Sequence, residues 1–148
     1  MSDTAAQPIQ VGALTVLFHV DPDQSGGSVS VFECVAPAKA RMPAPHSHDD
    51  FDETVFGLAG VTSYTVGGER FDLNPGESLF IQRRVIHGFD NQGDVDARFL
   101  AVISPGLLGP TYFEEIADVL GGGGPPDIEK IGEVMRRHGL SPAPPPDL

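Results

Sequence analysis

The run Pro45–Gly60, PHSHDDFDETVFGLAG, decides how this chain is read, together with Gly76–Asn91, GESLFIQRRVIHGFDN. The first run holds His46, His48 and Glu53, and the second holds His87. The chain has five histidines, so three of them fall within these two stretches. His46 and His48 stand at i and i+2, and on a strand such side chains point to one face. Asp49–Asp52 reads as a loop, after which Glu53 enters the next strand and returns beside the pair. His87 belongs to a later strand, with Phe89 and Asn91 on its face. Four donors on neighbouring strands can therefore converge on one interior point.

Three imidazoles and a carboxylate suit a borderline divalent metal, and one such ion is expected as cofactor. Fe, Mn, Ni, Co, Zn and Cu all accept these donors. Two positions of an octahedron stay open for water, dioxygen or a bidentate substrate. Glu53 is the candidate catalytic group, either as ligand or, swung off the ion, as general base.

Outward from these runs, short apolar segments alternate with turn signals. Strands are expected at Leu14–Val20, Ser28–Val35, Glu53–Leu58, Val61–Val66, Glu69–Leu73, Ser78–Gln82, Val85–Phe89 and Arg98–Ile103. Gly67-Gly68 suits a two-residue hairpin, where both positions need positive φ, and Asn74-Pro75-Gly76 is a turn. Pro37, Pro43 and Pro45 make the approach to His46 irregular. Many short strands at near-regular spacing indicate an all-β sandwich or barrel. Toward the C-terminus the pattern becomes helical. Pro110 opens one helix through Tyr112, Phe113, Ile116, Val119 and Leu120. Asp127 caps a second, reaching about His138, with Ile128, Ile131, Val134 and Met135 on one face. The expected organisation is a flexible N-terminus over 1–10, a β-barrel over 11–105, and a helical extension with a Pro-rich tail over 106–148. The two helices read as a lid on the barrel or as a dimer contact.

Composition narrows the function. The formal net charge is −12, which repels phosphate backbones and anionic lipid, so nucleic acid and membrane are not expected partners. One cysteine, Cys34, excludes an intramolecular disulfide and fits a cytoplasmic protein. It lies in an apolar strand pattern and reads as a small buried hydrophobe. No serine sits in a GxSxG setting, and the tetraglycine Gly121–Gly124 is not followed by Lys-Ser or Lys-Thr, so neither a hydrolase elbow nor a phosphate loop is present.

His46-Ser47-His48, four residues, Glu53, six residues, Gly60 resembles the first motif of the cupins. Gly76, five residues, Gln82, Arg84, His87, three residues, Asn91 resembles the second. The resemblance covers Ala44–Asn91 and implies a double-stranded β-helix, or jelly roll, with His46, His48, Glu53 and His87 as ligands of an interior metal. It departs at Gln82 and Arg84, where the motif usually has proline and glycine. The helical tail resembles that of small single-domain cupins described as quercetin-dioxygenase-like. With the apolar helix faces, the resemblance also implies a homodimer. The expected function is a metal-dependent oxygenase for a small enolic or aromatic substrate. The alternatives are a metal-dependent isomerase or lyase, and a non-catalytic binding module for a small molecule or metal. Phe32, Tyr64, Phe80, Gln82 and Phe89 are the candidate walls of the substrate pocket.

Overall fold

The computed structural model describes residues 7–41, 44–122 and 124–144. Strands occur at β1 (Ile9–Val11), β2 (Leu14–Val20), β3 (Ser30–Ala36), β4 (His46–His48), β5 (Asp52–Ala59), β6 (Thr62–Val66) and β7 (Glu69–Leu73). They continue with β8 (Ser78–Ile81), β9 (His87–Asp90), β10 (Ala97–Ser104) and β11 (Leu140–Pro142). Three helices accompany them: α1 (Pro22–Ser25), α2 (Pro110–Leu120) and α3 (Ile128–Arg137). The strands form two antiparallel sheets, one ordered β1-β2-β3-β10-β5-β8 and the other β11-β4-β9-β6-β7. This is the double-stranded β-helix expected of the motifs.

Alternation along the strands builds the interior. On β10, Ala97, Phe99, Ala101 and Ile103 are buried, while the residues between them are more exposed. Their partners Cys34 and Phe32 on β3, and Val55 and Glu53 on β5, face the same interior. Each large apolar side chain buried there contributes about 1.5–3 kcal/mol. Both sheets therefore present carbon to a common core, into which Glu53, His48 and His87 also project.

The turns follow the expected chemistry. Gly67 and Gly68 have φ of 57° and 84°, and Val66 pairs with Glu69 across them. Gly60 has φ 63°, and a Cβ there would lie 2.4 Å from the carbonyl oxygen of Asp96. Gly60→Ala combines left-handed strain with a clash against backbone, so it is expected to lower stability by about 2–3 kcal/mol in a denaturant titration.

Several boundaries differ from expectation. Residues 1–6 of the expected flexible N-terminus lie outside the described residues, whereas Ile9 and Gln10 belong to β1 and pair with Val16 and Thr15. The turn expected at Gln24–Gly27 begins as α1, capped by the Asp21 side chain accepting from the Gln24 N–H. Pro43 and the last four residues of the tail, 145–148, lie outside the described residues. Ser141 and Pro142, expected in an extended tail, form part of β11 at a sheet edge. An edge tolerates proline, because one side of the strand needs no donor. Ile128, placed on the apolar face of α3, is 71% exposed because it opens the helix away from the barrel.

Candidate metal centre

Three strands carry the cluster. β4 lies between β9 and β11, and His46 pairs with His87 across the β4–β9 ladder. Leu140 and Pro142 of β11 pair with His48 and His46 on the other side. The ligand pair is thus fixed by backbone on both edges. Glu53 comes from the opposite sheet, between Ile81 of β8 and Ile103 of β10.

The three imidazoles converge. One ring nitrogen from each of His46, His48 and His87 lies within 4.8 Å of the others. Glu53 Oε1 is 3.8 Å from His48 Nε2 and 3.8 Å from His87 Nε2. Two donors bound at ~2.1 Å to one ion are ~3.0 Å apart at right angles and ~4.2 Å apart in line. Those two separations fall inside that range, but the donors that all lie within 4.8 Å of one another are His46, His48 and His87 alone among the described residues. The structure thus converges the three imidazoles and leaves the Glu53 carboxylate beside them. His46 Nδ1 donates to the Ala44 carbonyl at 3.1 Å, and His87 Nδ1 donates to the Val85 carbonyl at 3.0 Å. Those bonds leave each Nε2 with its lone pair free, the form a metal requires. His48 is held instead by stacking on buried Phe51, with ring centroids 4.4 Å apart.

Burial sets the charge state. It lowers His46 to about 4 and His48 to about 2, with neighbouring imidazoles adding to the effect, and it also lowers His87. Burial raises the Glu53 carboxyl to about 7. At neutral pH the site therefore offers three neutral imidazoles and one carboxyl poised to ionise. That donor set fits a divalent ion and resists cations that lack nitrogen affinity. Cys34 also faces the cavity, but burial and then the Glu53 charge push its thiol up to about 12, so it stays protonated.

A cavity of about 80 Å³ adjoins the cluster. Its other walls are carbon: Phe32, Phe89 and Phe99 from the barrel, and Phe113, Ile116 and Met135 from the helices. No lysine or arginine lines it among the described residues. The helices thus cover the site, as one of the two roles expected of them requires. Phe32 and Phe89 stand in the wall. Tyr64 is buried beneath it, packed on Phe89 and Phe99. Phe80 and Gln82 do not reach the cavity. Ile81 pairs with Glu53 and faces inward, so its neighbours Phe80 and Gln82 face out, and Phe80 is 59% exposed. The helical wall residues carry no pocket signal in the sequence beyond their 3.6-residue periodicity.

The departure at Arg84 has a structural account, and nothing in the structure explains Gln82. Arg84 occupies the position of the motif glycine and adopts φ 70°. Its N–H donates to the His48 carbonyl at 2.7 Å, and its Nε donates to the Asp49 carbonyl. The turn before His87 is therefore kept, and it ties that strand to the ligand pair. Arg83 forks onto Asp52, with Nη2–Oδ2 at 3.2 Å, and its N–H donates to the same carboxylate.

The family model of the cupin domain, Cupin_2, matches residues 31–103, which include all four residues of the cluster. Residues 31–103 are a cupin domain. The protein is 29% identical over 105 residues to the tetracenomycin polyketide synthase protein TcmJ of Streptomyces glaucescens, covering 71% of the chain and 69% of that protein. Among solved structures it resembles a protein described as a predicted oxalate decarboxylase from Thermotoga maritima. The TM-score is 0.62 at 18% identity, over 70% of this chain and 94% of the other. It also resembles the cupin domain of an XRE family transcriptional regulator from Enterobacter cloacae. There the TM-score is 0.54 at 19% identity, over 62% and 96% of the two chains. At these identities the structural likeness speaks for the fold alone, and one fold serves unrelated functions. No helix among the described residues is long and apolar enough to cross a membrane.

Proposed function

We propose that this protein is a metal-dependent oxygenase for a small, uncharged enolic or aromatic substrate. The observation that carries the reading is the composition of the cavity: three imidazoles at one point, a carboxylate beside them, and carbon nearly everywhere else. A substrate with a remote carboxylate or phosphate would find no cation in that wall. A flat apolar molecule with one chelating edge fits both halves. The relative TcmJ is a polyketide synthase protein, and polyketides carry 1,3-dicarbonyl units whose enols chelate ions. That likeness supports the substrate class.

His46, His48, His87 and Glu53 would hold the ion. When bound, it would supply Lewis acidity to a chelating enol and, if redox-active, electrons for oxygen chemistry. The chain's own residues do the rest. Glu53, on swinging off the ion, would accept the enol proton. Phe32, Phe99 and Phe113 take the ring face and exclude water. The cavity, at about 80 Å³, is smaller than the ~150 Å³ cavity that holds benzene in an engineered core. A ring substrate therefore needs more room than the cavity has as it stands.

The test is oxygen uptake by protein loaded in turn with Fe, Mn, Ni and Co, against a panel of β-diketones and flavonols. Uptake stoichiometric with product supports the reading. Glu53→Gln is then expected to lower kcat by about 10²–10⁴. Product formed at an undiminished rate under strict anaerobiosis would instead identify an isomerase or lyase.

A further inference from the structure

Three buried side-chain polar atoms lack a hydrogen-bond partner among the described residues: Ser30 Oγ, His48 Nδ1 and the Tyr64 hydroxyl. Tyr64 on β6 lies opposite Phe89 on β9 and is 1% exposed. Its ring packs on Phe89 and Phe99, each with centroids 5.6 Å away, and both of those rings line the cavity. Its hydroxyl has no hydrogen-bond partner among the described residues. A phenylalanine would fill the same space without that penalty. Glu53 projects into the same interior. The polar atoms recorded beside its carboxylate, His48 Nε2 and His87 Nε2, stand at 3.8 Å, beyond hydrogen-bond distance. Once one oxygen faces an ion, the other is a buried acceptor in want of a donor. The Tyr64 phenol is raised first by burial and then by the negative charge of Glu53.

We propose that Tyr64 is a positioning residue for Glu53, its hydroxyl donating to the carboxylate oxygen turned away from the histidines. The inference rests on the metal reading above and deepens it. The hydrogen bond selects the Glu53 rotamer that presents the other oxygen to the ion. It also makes the orphaned hydroxyl useful: the donor is kept inside the barrel for the loaded state. Outer partners of this kind typically change metal affinity 10–100-fold when removed.

The test is Co(II) titration of metal-free full-length protein, followed by its visible absorption bands. Tyr64→Phe is expected to weaken Co(II) about tenfold and to shift those bands. Its metal-free form is expected to melt no lower than wild type, because it loses an unpaired hydroxyl. In a Glu53→Ala background, the same substitution is expected to change neither affinity nor spectrum. Wild-type affinity and spectrum in Tyr64→Phe would overturn the proposal. So would an equal loss with and without Glu53. A wild-type protein that takes up no Co(II) would strike the metal reading itself, an outcome distinct from loss of the Tyr64 effect alone.

Discussion

Metal-free protein is expected to be most stable near pH 6.5 and to gain about 1.4 kcal/mol more from a divalent ion at pH 8 than at pH 6, because one carboxyl proton must leave. Histidines of the unfolded chain take protons near 6.5, whereas folded His46 waits until about 4 and His48 until about 2. Stability present above pH 6.5 is therefore lost as the pH falls, at about 1.4 kcal/mol per unit for each imidazole. Glu53 works in the opposite sense. Its folded carboxyl is raised from 4.5 to about 7. The stability it contributes while protonated is fully present below 4.5 and is lost as the pH rises through 7, on the order of 3 kcal/mol. An ion relieves that cost by pairing with the carboxylate. At a thousand times its dissociation constant it adds about 4 kcal/mol by mass action. Thermal melts with chelator and with added metal, across pH 5–8.5, measure this directly. A metal-induced shift that is absent, or that shrinks toward pH 8, would contradict the charge states assigned to the site.

Asn91→Ala is expected to be the most damaging substitution outside the metal cluster. Asn91 is 2% exposed and follows β9. Its Nδ2 donates toward the carbonyls of Ala36, Pro37 and Val95 at 2.9, 3.1 and 2.8 Å, and its Oδ1 accepts from the Gly93 N–H. One side chain thus joins the end of β3, the exit of β9 and the loop into β10. Alanine leaves these backbone groups unpaired in the interior, at about 1–3 kcal/mol each before water enters. A net loss of about 3–4 kcal/mol is expected, or roughly 6–16 °C in melting temperature for a chain of this size. Metal stoichiometry in the cold should be unchanged. A loss under 1 kcal/mol would show that Asn91 carries little of the barrel.

Much of the fold is readable in the sequence. Strands Leu14–Val20 and Glu69–Leu73, and helix α2 at Pro110–Leu120, lie where alternation, glycine turns and Pro110 place them. The histidine cluster was legible because i, i+2 spacing needs only local geometry. The lid's contact with the ligands was not. β11 pairs with β4, and Ser141 Oγ donates to Asp49 Oδ1 across 92 residues of chain. A three-residue strand ending in Pro142 carries no period from which to infer that. Phe80 and Phe32 were equally good wall candidates by composition. Register separates them: Ile81 pairs with Glu53, which turns Phe80 outward. A glutamate on an inward face also reverses the usual meaning of polarity, so hydropathy alone could not orient β8 against β5.

The central claim is that His46, His48, Glu53 and His87 hold one divalent ion. Its most direct test is elemental analysis of protein purified without chelator, beside His46→Ala and His87→Ala. Wild type is expected to carry about one equivalent of a first-row transition metal. Each variant is expected to lose most of it after dialysis while keeping the barrel's far-ultraviolet circular dichroism. Variants that retain stoichiometric metal, or a folded wild type that takes up none from a saturating supply, would contradict the account.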